Sequence, residues 1–369
     1  MAQTCRCLAV LALGLFLVSC GGAEQPAGQP AAAARPEVAP GVGPNGELDG
    51  LEAKFVDVNG VSTRYFDYGA GEPIVLIHGG FGVGMSSTAN NWSRNVRGLA
   101  ERFRVLAVDR LGMGMTSVPD DLKALTSEYT VEHMYQFIRT VTQEKVHLVG
   151  HSSGSRVAFD VALAHPEIVK TLTIVAGSPV QSPDAPPTAG QQSPSRLQAA
   201  LDGCPPAPSR EYTHCRLLLL GATPNTFAAD YAEAEERMGN QPPSVAARAL
   251  LEKGRAAEPA QSDAEQQQAQ AAESAARLEK VKGGVLSMPI LIVHGMQDGL
   301  AWRTTDPWRD FTRELGFMDV VGQAGENPKV SMIIMNRASH FPYRSHPEEF
   351  NAYLMAFIDV WNRMPAETE

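Results

Sequence analysis

Residues 145–154 read Lys145-Val146-His147-Leu148-Val149-Gly150-His151-Ser152-Ser153-Gly154. The run up to Gly150 is short and mostly apolar, the pattern of a buried strand. Ser153–His165 carries on as a helical stretch. Between them lies Gly150-His151-Ser152-Ser153-Gly154, a G-x-S-x-G match at a strand-to-helix turn. Such a turn forces Ser152 into strained backbone geometry and lifts its hydroxyl above the strand. The two glycines remove the side chains that would collide there. The helix that follows points its first N–H groups at the same spot, where they favour negative charge.

Working outward, five further apolar runs have the length of buried strands: Pro73–His78, Arg104–Asp109, Val169–Ala176, Met288–His294 and Val330–Asn336. Their apolar positions are continuous and not alternating, as in a parallel sheet covered on both faces. Helical stretches such as Thr130–Thr142 separate them. Val56, Val58 and Val61 flank an Asn59-Gly60 turn and predict a β-hairpin ahead of the first run. The alternation predicts a doubly wound α/β fold. It stops between residues 179 and 285, where a Pro/Ser-rich run gives way to an Ala/Gln/Glu-rich helical segment at Ala256–Lys282. This stretch is large enough for a helical cap domain inserted between two core parts, 51–178 and 286–369.

His78-Gly79-Gly80-Phe81-Gly82 follows one strand and Asp109-Arg110-Leu111-Gly112-Met113-Gly114 the next. With Ser152 in its turn, these segments resemble the α/β-hydrolase superfamily from about Val61 to Trp361, the insertion excepted. The resemblance implies a mostly parallel sheet with a cap, and hydrolysis through a serine nucleophile at Ser152. A tetrahedral intermediate then needs two N–H donors about 3 Å from its oxyanion. Ser153 supplies one, and Gly80 or Phe81 the other. In the family order Ser, acid, His, the acid follows a late strand, where Leu291–Asp298 ends in Asp298; Asp306 competes from the next helical stretch. The base follows the last strand at His340, within Ile333–Pro342. His346 reads as the entry to the final helix. His78 and His294 read as structural, and Asp109-Arg110 as support for its own turn. His151 and Phe341, beside the serine and the base, are expected to line the pocket.

The serine excludes the epoxide hydrolases and haloalkane dehalogenases of this fold, which carry Asp there. Asn90–Ser93 and Glu128–Val131 resemble the branch that includes carbon–carbon bond hydrolases. Two departures count against that branch: His151 stands where its members commonly have Asn, and Phe341 where they have Trp. The expected activity is hydrolysis of a small carboxylic ester, lactones and aryl esters included. Carbon–carbon cleavage is the alternative, and a catalytically silent envelope-binding protein a third reading.

Composition agrees with a globular domain: 369 residues, 44% hydrophobic, with net charge −10. That balance gives no basic footprint for nucleic acid. No His/Cys cluster has metal-ligand spacing, so neither metal nor cofactor is expected, and the oligomeric state is left open. The N-terminus is distinctive. Arg6 precedes the apolar run Leu8–Val18, which is too short to span a bilayer. Leu17-Val18-Ser19-Cys20 resembles a bacterial lipobox, implying a signal peptide over 1–19 and a lipidated Cys20, whose thiolate can take the lipid. Removing residues 1–19 also removes one charge, Arg6, and leaves 350 residues at −11. The protein would then be exported and anchored to a membrane, not spanning it. Residues 21–50 hold 19 Gly, Ala or Pro, so 20–50 is expected to be a disordered tether. Export also favours a disulfide between Cys204 and Cys215.

Overall fold

The structure is a computed structural model, and it describes residues 41–80, 83, 87–180, 200–221, 226–227, 229–257, 262–298 and 315–364. Residues 1–40, with the signal and Cys20, lie outside the described residues, as do Phe81 and Asp306.

Eight strands form one sheet. In chain order they are β1 (Lys54–Val58), β2 (Val61–Tyr68), β3 (Pro73–Ile77), β4 (Arg104–Val108), β5 (Val146–His151), β6 (Val169–Val175), β7 (Ile290–Gly295) and β8 (Val330–Met335). Their spatial order is β1-β2-β4-β3-β5-β6-β7-β8. The first two pairings are antiparallel and the rest parallel. The β1–β2 hairpin turns on Asn59 and Gly60, both at positive φ, and puts Val58 opposite Val61, as the Asn-Gly pair predicts.

Parallel neighbours need crossovers, and those crossovers coat both faces. Among the described residues the helices of eight or more residues are α1 (Ser93–Ala100), α2 (Ser127–Val141), α3 (Ser153–Ala164), α4 (Arg210–Leu219), α5 (Ala229–Gly239), α6 (Pro242–Ala257), α7 (Asp263–Lys282) and α8 (Pro347–Arg363). Every residue of β3, β5 and β7 is buried. Alternate β3 side chains serve the two cores. Ile74 and Leu76 join Trp92, Tyr343 and Phe350 on the α1/α8 side, while Val75 and Ile77 join Phe137, Phe159 and Phe317 on the side of α2, α3 and α7.

Three expectations are corrected. β8 is an edge strand with one neighbour, so its apolar run is covered only in part and Ile334 is 44% exposed. Among the described residues the insertion carries helices α4 to α7, and the last of them is not cap: Leu278 and Val281 of α7 enter the core, and Arg277 grips Asp160 of α3 at 2.7 and 2.8 Å. That helix is the crossover into β7, so the cap ends ahead of it. Nor does the tether extend to residue 50. Leu48 and Leu51 are buried, the Gly46 carbonyl accepts from Asn90 Nδ2 at 2.7 Å, and the Gly43 carbonyl from Arg237 at 3.1 Å. Glycine-rich composition concealed two anchoring leucines.

Candidate active site

Central β5 is flanked by β3 and β6, and at its end the chain turns directly into α3. Ser152 sits in that turn at φ 53° and ψ −122°, a conformation that costs a non-glycine residue about 1–3 kcal/mol. Neighbours hold it there. The Ser152 N–H donates to the Val175 carbonyl at 2.8 Å. Gly154 lets α3 pass close beneath β3, since a Cβ on it would lie 2.3 Å from the His78 carbonyl oxygen. Ser153 opens α3, so its N–H has no partner four residues back within the helix.

The turn after β7 and the turn after β8 bring the candidate acid and base together. A Cβ on Gly295 would lie 2.1 Å from the Ser339 carbonyl oxygen, so only glycine lets the two backbones meet. The Gln297 N–H donates to the Ala338 carbonyl at 2.7 Å. With both turns so fixed, His340 Nδ1 lies 2.7 Å from Asp298 Oδ2, and both residues are buried. A carboxylate at Nδ1 fixes the imidazole with Nδ1 protonated, freeing Nε2. Ser152 and His340 line one recess together with Gly79, Gly80, His151 and Phe341. The empty space around these residues, open solvent included, amounts to about 390 Å³.

The remaining histidines sort by their partners. His78 accepts the Arg110 N–H at Nε2 (3.1 Å) and donates from Nδ1 to the Gly79 carbonyl (2.6 Å). Burial drives its pKa down to about 3. It therefore braces the loop and is no proton carrier. His294 is buried within β7, and His346 immediately precedes α8 without a side-chain bond to its first turn, its Nδ1 lying 2.9 Å from Ser345 Oγ. His151 does line the recess, with a second contact that spacing did not suggest. Its Nε2 donates to the His340 carbonyl at 2.8 Å, and its Nδ1 meets the Tyr343 hydroxyl at 3.1 Å. Burial holds His151 well below the usual histidine range, so it supports the base as a neutral ring. Phe341 packs edge-on against Phe227 at 4.8 Å, closing the recess on the cap side.

Asp109 and Arg110 support the loops around the site. Asp109 Oδ1 accepts the Ala89 N–H at 2.7 Å, and Oδ2 the Met115 N–H at 3.0 Å. Arg110 Nη1 donates to Ser153 Oγ at 2.8 Å, and that hydroxyl donates to the Gly80 carbonyl. The two candidate oxyanion segments are thereby tied together. The cap contributes Arg216 and Leu220 to the recess, residues not singled out from sequence, where nothing marks one cap arginine above another. Cys204 and Cys215 form a disulfide, with Cα atoms 5.7 Å apart, and Cys215 immediately precedes Arg216.

A family model described as alpha/beta hydrolase fold matches residues 72–325. The chain belongs to the α/β-hydrolase family. Among curated members, a 2-hydroxy-6-oxo-6-(2'-aminophenyl)hexa-2,4-dienoic acid hydrolase of Metapseudomonas resinovorans is 37% identical over 34% of this chain and 42% of its own length. The match thus spans less than half of that relative. A pimeloyl-[acyl-carrier protein] methyl ester esterase of Aeromonas hydrophila is 27% identical over 79% of this chain and 97% of its own. Among solved α/β-hydrolase structures, a meta-cleavage product hydrolase of Pseudomonas fluorescens IP01 superposes with TM-score 0.62 at 21% identity, covering 84% of this chain and 98% of that one.

Proposed function

We propose that the protein is a serine hydrolase that cleaves a small carboxylic ester through an acyl-enzyme. The observation that carries this reading is a serine at positive φ sharing a recess with a histidine whose Nδ1 is held by a buried carboxylate. His340 Nε2 takes the Ser152 proton as Oγ attacks the carbonyl. The Gly80 and Ser153 N–H groups receive the oxyanion, which is worth about 10²–10³ in rate per donor. The imidazolium returns its proton to the leaving alcohol. Water, deprotonated by the same imidazole, then releases the acid, with Asp298 holding the tautomer throughout. The methyl ester esterase, similar over almost its whole length, supports ester cleavage.

A carbon–carbon hydrolase is the second reading, favoured by the dienoic acid hydrolase similarity. His151 and Phe341 at positions where that branch commonly has Asn and Trp speak for the ester. We also propose export and lipidation at Cys20. Mass spectrometry of the mature N-terminus should find a diacylated cysteine, and an unmodified Cys20 would end that part.

The deciding test is a fluorophosphonate probe followed by a substrate panel. Wild type should label, and Ser152→Ala should lose both labelling and turnover, on the order of 10⁴-fold or more, while its unfolding midpoint barely moves. A Ser152→Ala enzyme of near-normal activity would mean another nucleophile. Cleavage of a dienone acid in preference to nitrophenyl esters would favour the second reading.

A further inference from the structure

Arg216, from cap helix α4, lines the recess that holds Ser152 and His340. Its side chain is 4% exposed, and its Nε has no hydrogen-bond partner among the described residues. Leaving a charged donor buried and unpaired is costly. The carboxylate that could pair with it stands off: Glu235 Oε2 is 3.9 Å from Nη2 and has no hydrogen-bond partner, while Oε1 accepts from Thr88 Oγ1 at 2.7 Å. Burial raises the Glu235 carboxyl above the ordinary range, against the pull of Arg216, so the counter-charge is weak. Among the described residues no other carboxylate lies within ion-pair distance of Arg216. Arg344, nearby, is itself a cation, spent on the Thr226, Asn90 and Asn91 carbonyls, and Tyr231 is a buried phenol pushed far from ionising. The wall around Arg216 offers the hydroxyl of Ser87 and the amide of Asn91 beside apolar Leu220. This is a small pocket in which Arg216 brings a cation and an unused donor.

From this geometry we infer that Arg216 receives a carboxylate, or an equivalent monoanion, carried by the substrate on the same small molecule as the scissile carbonyl. The inference rests on the ester-hydrolase reading and adds the substrate class to it. A planar guanidinium suits a carboxylate through paired donors. The recess is narrow, which favours a short molecule, and a chain of net charge −10 suits a single negative charge better than a polyanion.

The test compares monoethyl adipate with diethyl adipate, which differ at neutral pH by one carboxylate, on the full chain. Wild type should favour the monoester by at least tenfold in kcat/KM. In Arg216→Gln that ratio should fall at least tenfold, and Arg216→Lys should keep part of it. Arg216→Gln leaves Glu235 buried alone, so the double variant Arg216→Gln/Glu235→Gln, which carries neither charge, is measured too and should show the same loss. Leu218→Ala, at a side chain 64% exposed on the same helix, should keep the full ratio. A wild type without preference, or variants that lose both esters in equal proportion, would overturn the inference. Calorimetric titration with adipate reads the site without turnover. Binding at least tenfold weaker in Arg216→Gln supports it, and equal affinity overturns it even if neither ester is cleaved. Arg216-dependent adipate binding without fluorophosphonate labelling would instead leave the anion site standing and sink the hydrolase reading.

Discussion

The core and the cap each bury an arginine beside a carboxylate, and they treat the pair differently. In the core, Arg64 Nη1 lies 3.1 and 3.2 Å from the two Asp109 oxygens, with both side chains fully buried. Two backbone N–H groups fill out the same carboxylate, and the guanidinium lies 4.8 Å over the Phe66 ring. In the cap, Arg216 and Glu235 stand 3.9 Å apart without a hydrogen bond between them. Arg64 Nε and Nη2, like Arg216 Nε, lack hydrogen-bond partners among the described residues, so the pairs differ in the contact between the charges and not in leftover donors. A closed pair spends its charges on architecture and ties β2, β4 and the Ala89–Trp92 turn together. The open pair has no direct hydrogen bond, and its arginine, unlike Arg64, lines a recess that a ligand can enter. The sharpest way to break this contrast is Asp109→Ala. It strands a buried guanidinium and two N–H groups, and should cost about 3–5 kcal/mol in urea unfolding. A loss under about 1 kcal/mol would show that the core pair is not closed in solution.

The next largest effect belongs to the cap. Cys204→Ser/Cys215→Ser reopens a loop of about 12 residues, and the chain-entropy model assigns such a closure about 3 kcal/mol. That loss should fall where the loop is. Amide exchange should rise over α4 while β5 keeps its protection. Uniform loss of protection across β5 and α4 would mean that cap and core unfold as one unit, which would erase the distinction between the regions.

Acid should find the core first. His133, buried with Nε2 3.0 Å from Thr63 Oγ1, has its pKa lowered by burial to about 4, and His78 to about 3. A histidine with a depressed folded pKa is neutral in the fold but takes a proton once unfolded. Its contribution is therefore full above the unfolded value near 6.5 and is lost as pH falls toward the folded value. Each site should cost about 1.4 kcal/mol per pH unit inside its window. Urea midpoints measured from pH 7 to 4.5 should fall, and His133→Gln should flatten the slope. A variant with the wild-type slope would remove His133 from the account.

How much of this was legible follows the same division. β3, β4, β6 and β7 lie within one or two residues of their apolar runs, because a strand buried on both faces has nowhere to hide a polar side chain. The candidate site residues Ser152, Asp298 and His340 stood out because each follows a strand at the sheet's C-terminal edge. What escaped depends on contacts distant in sequence. Leu48 and Leu51 anchor a segment that composition alone presents as a tether. Two apolar residues, Leu278 and Val281, decide that α7 is core although its surface reads like cap. The exposure of Ile334 follows from β8 having no second neighbour. Arg216 matters only because α4 folds over Ser152, and the His151 contact to the His340 carbonyl spans 189 positions.

The smallest expected effect tests the open pair directly. Glu235→Gln keeps an acceptor for Thr88 Oγ1 while removing a charge that burial disfavours. A carboxyl with a raised folded pKa contributes stability fully below its unfolded pKa, near 4.5, and loses it as pH rises through the folded value. Removing it should relieve a cost that grows with pH above 4.5. Against this, Arg216 loses a neighbour, but one at 3.9 Å that makes no hydrogen bond. The two effects oppose each other, and the net change at pH 7 should stay within about 1 kcal/mol, with the variant gaining on wild type from pH 5 upward. A loss near 3 kcal/mol, as expected for Asp109→Ala, would mean the cap pair closes in solution as tightly as the core pair. Arg216 would then have no charge to offer a substrate, and the contrast between the two regions would go with it.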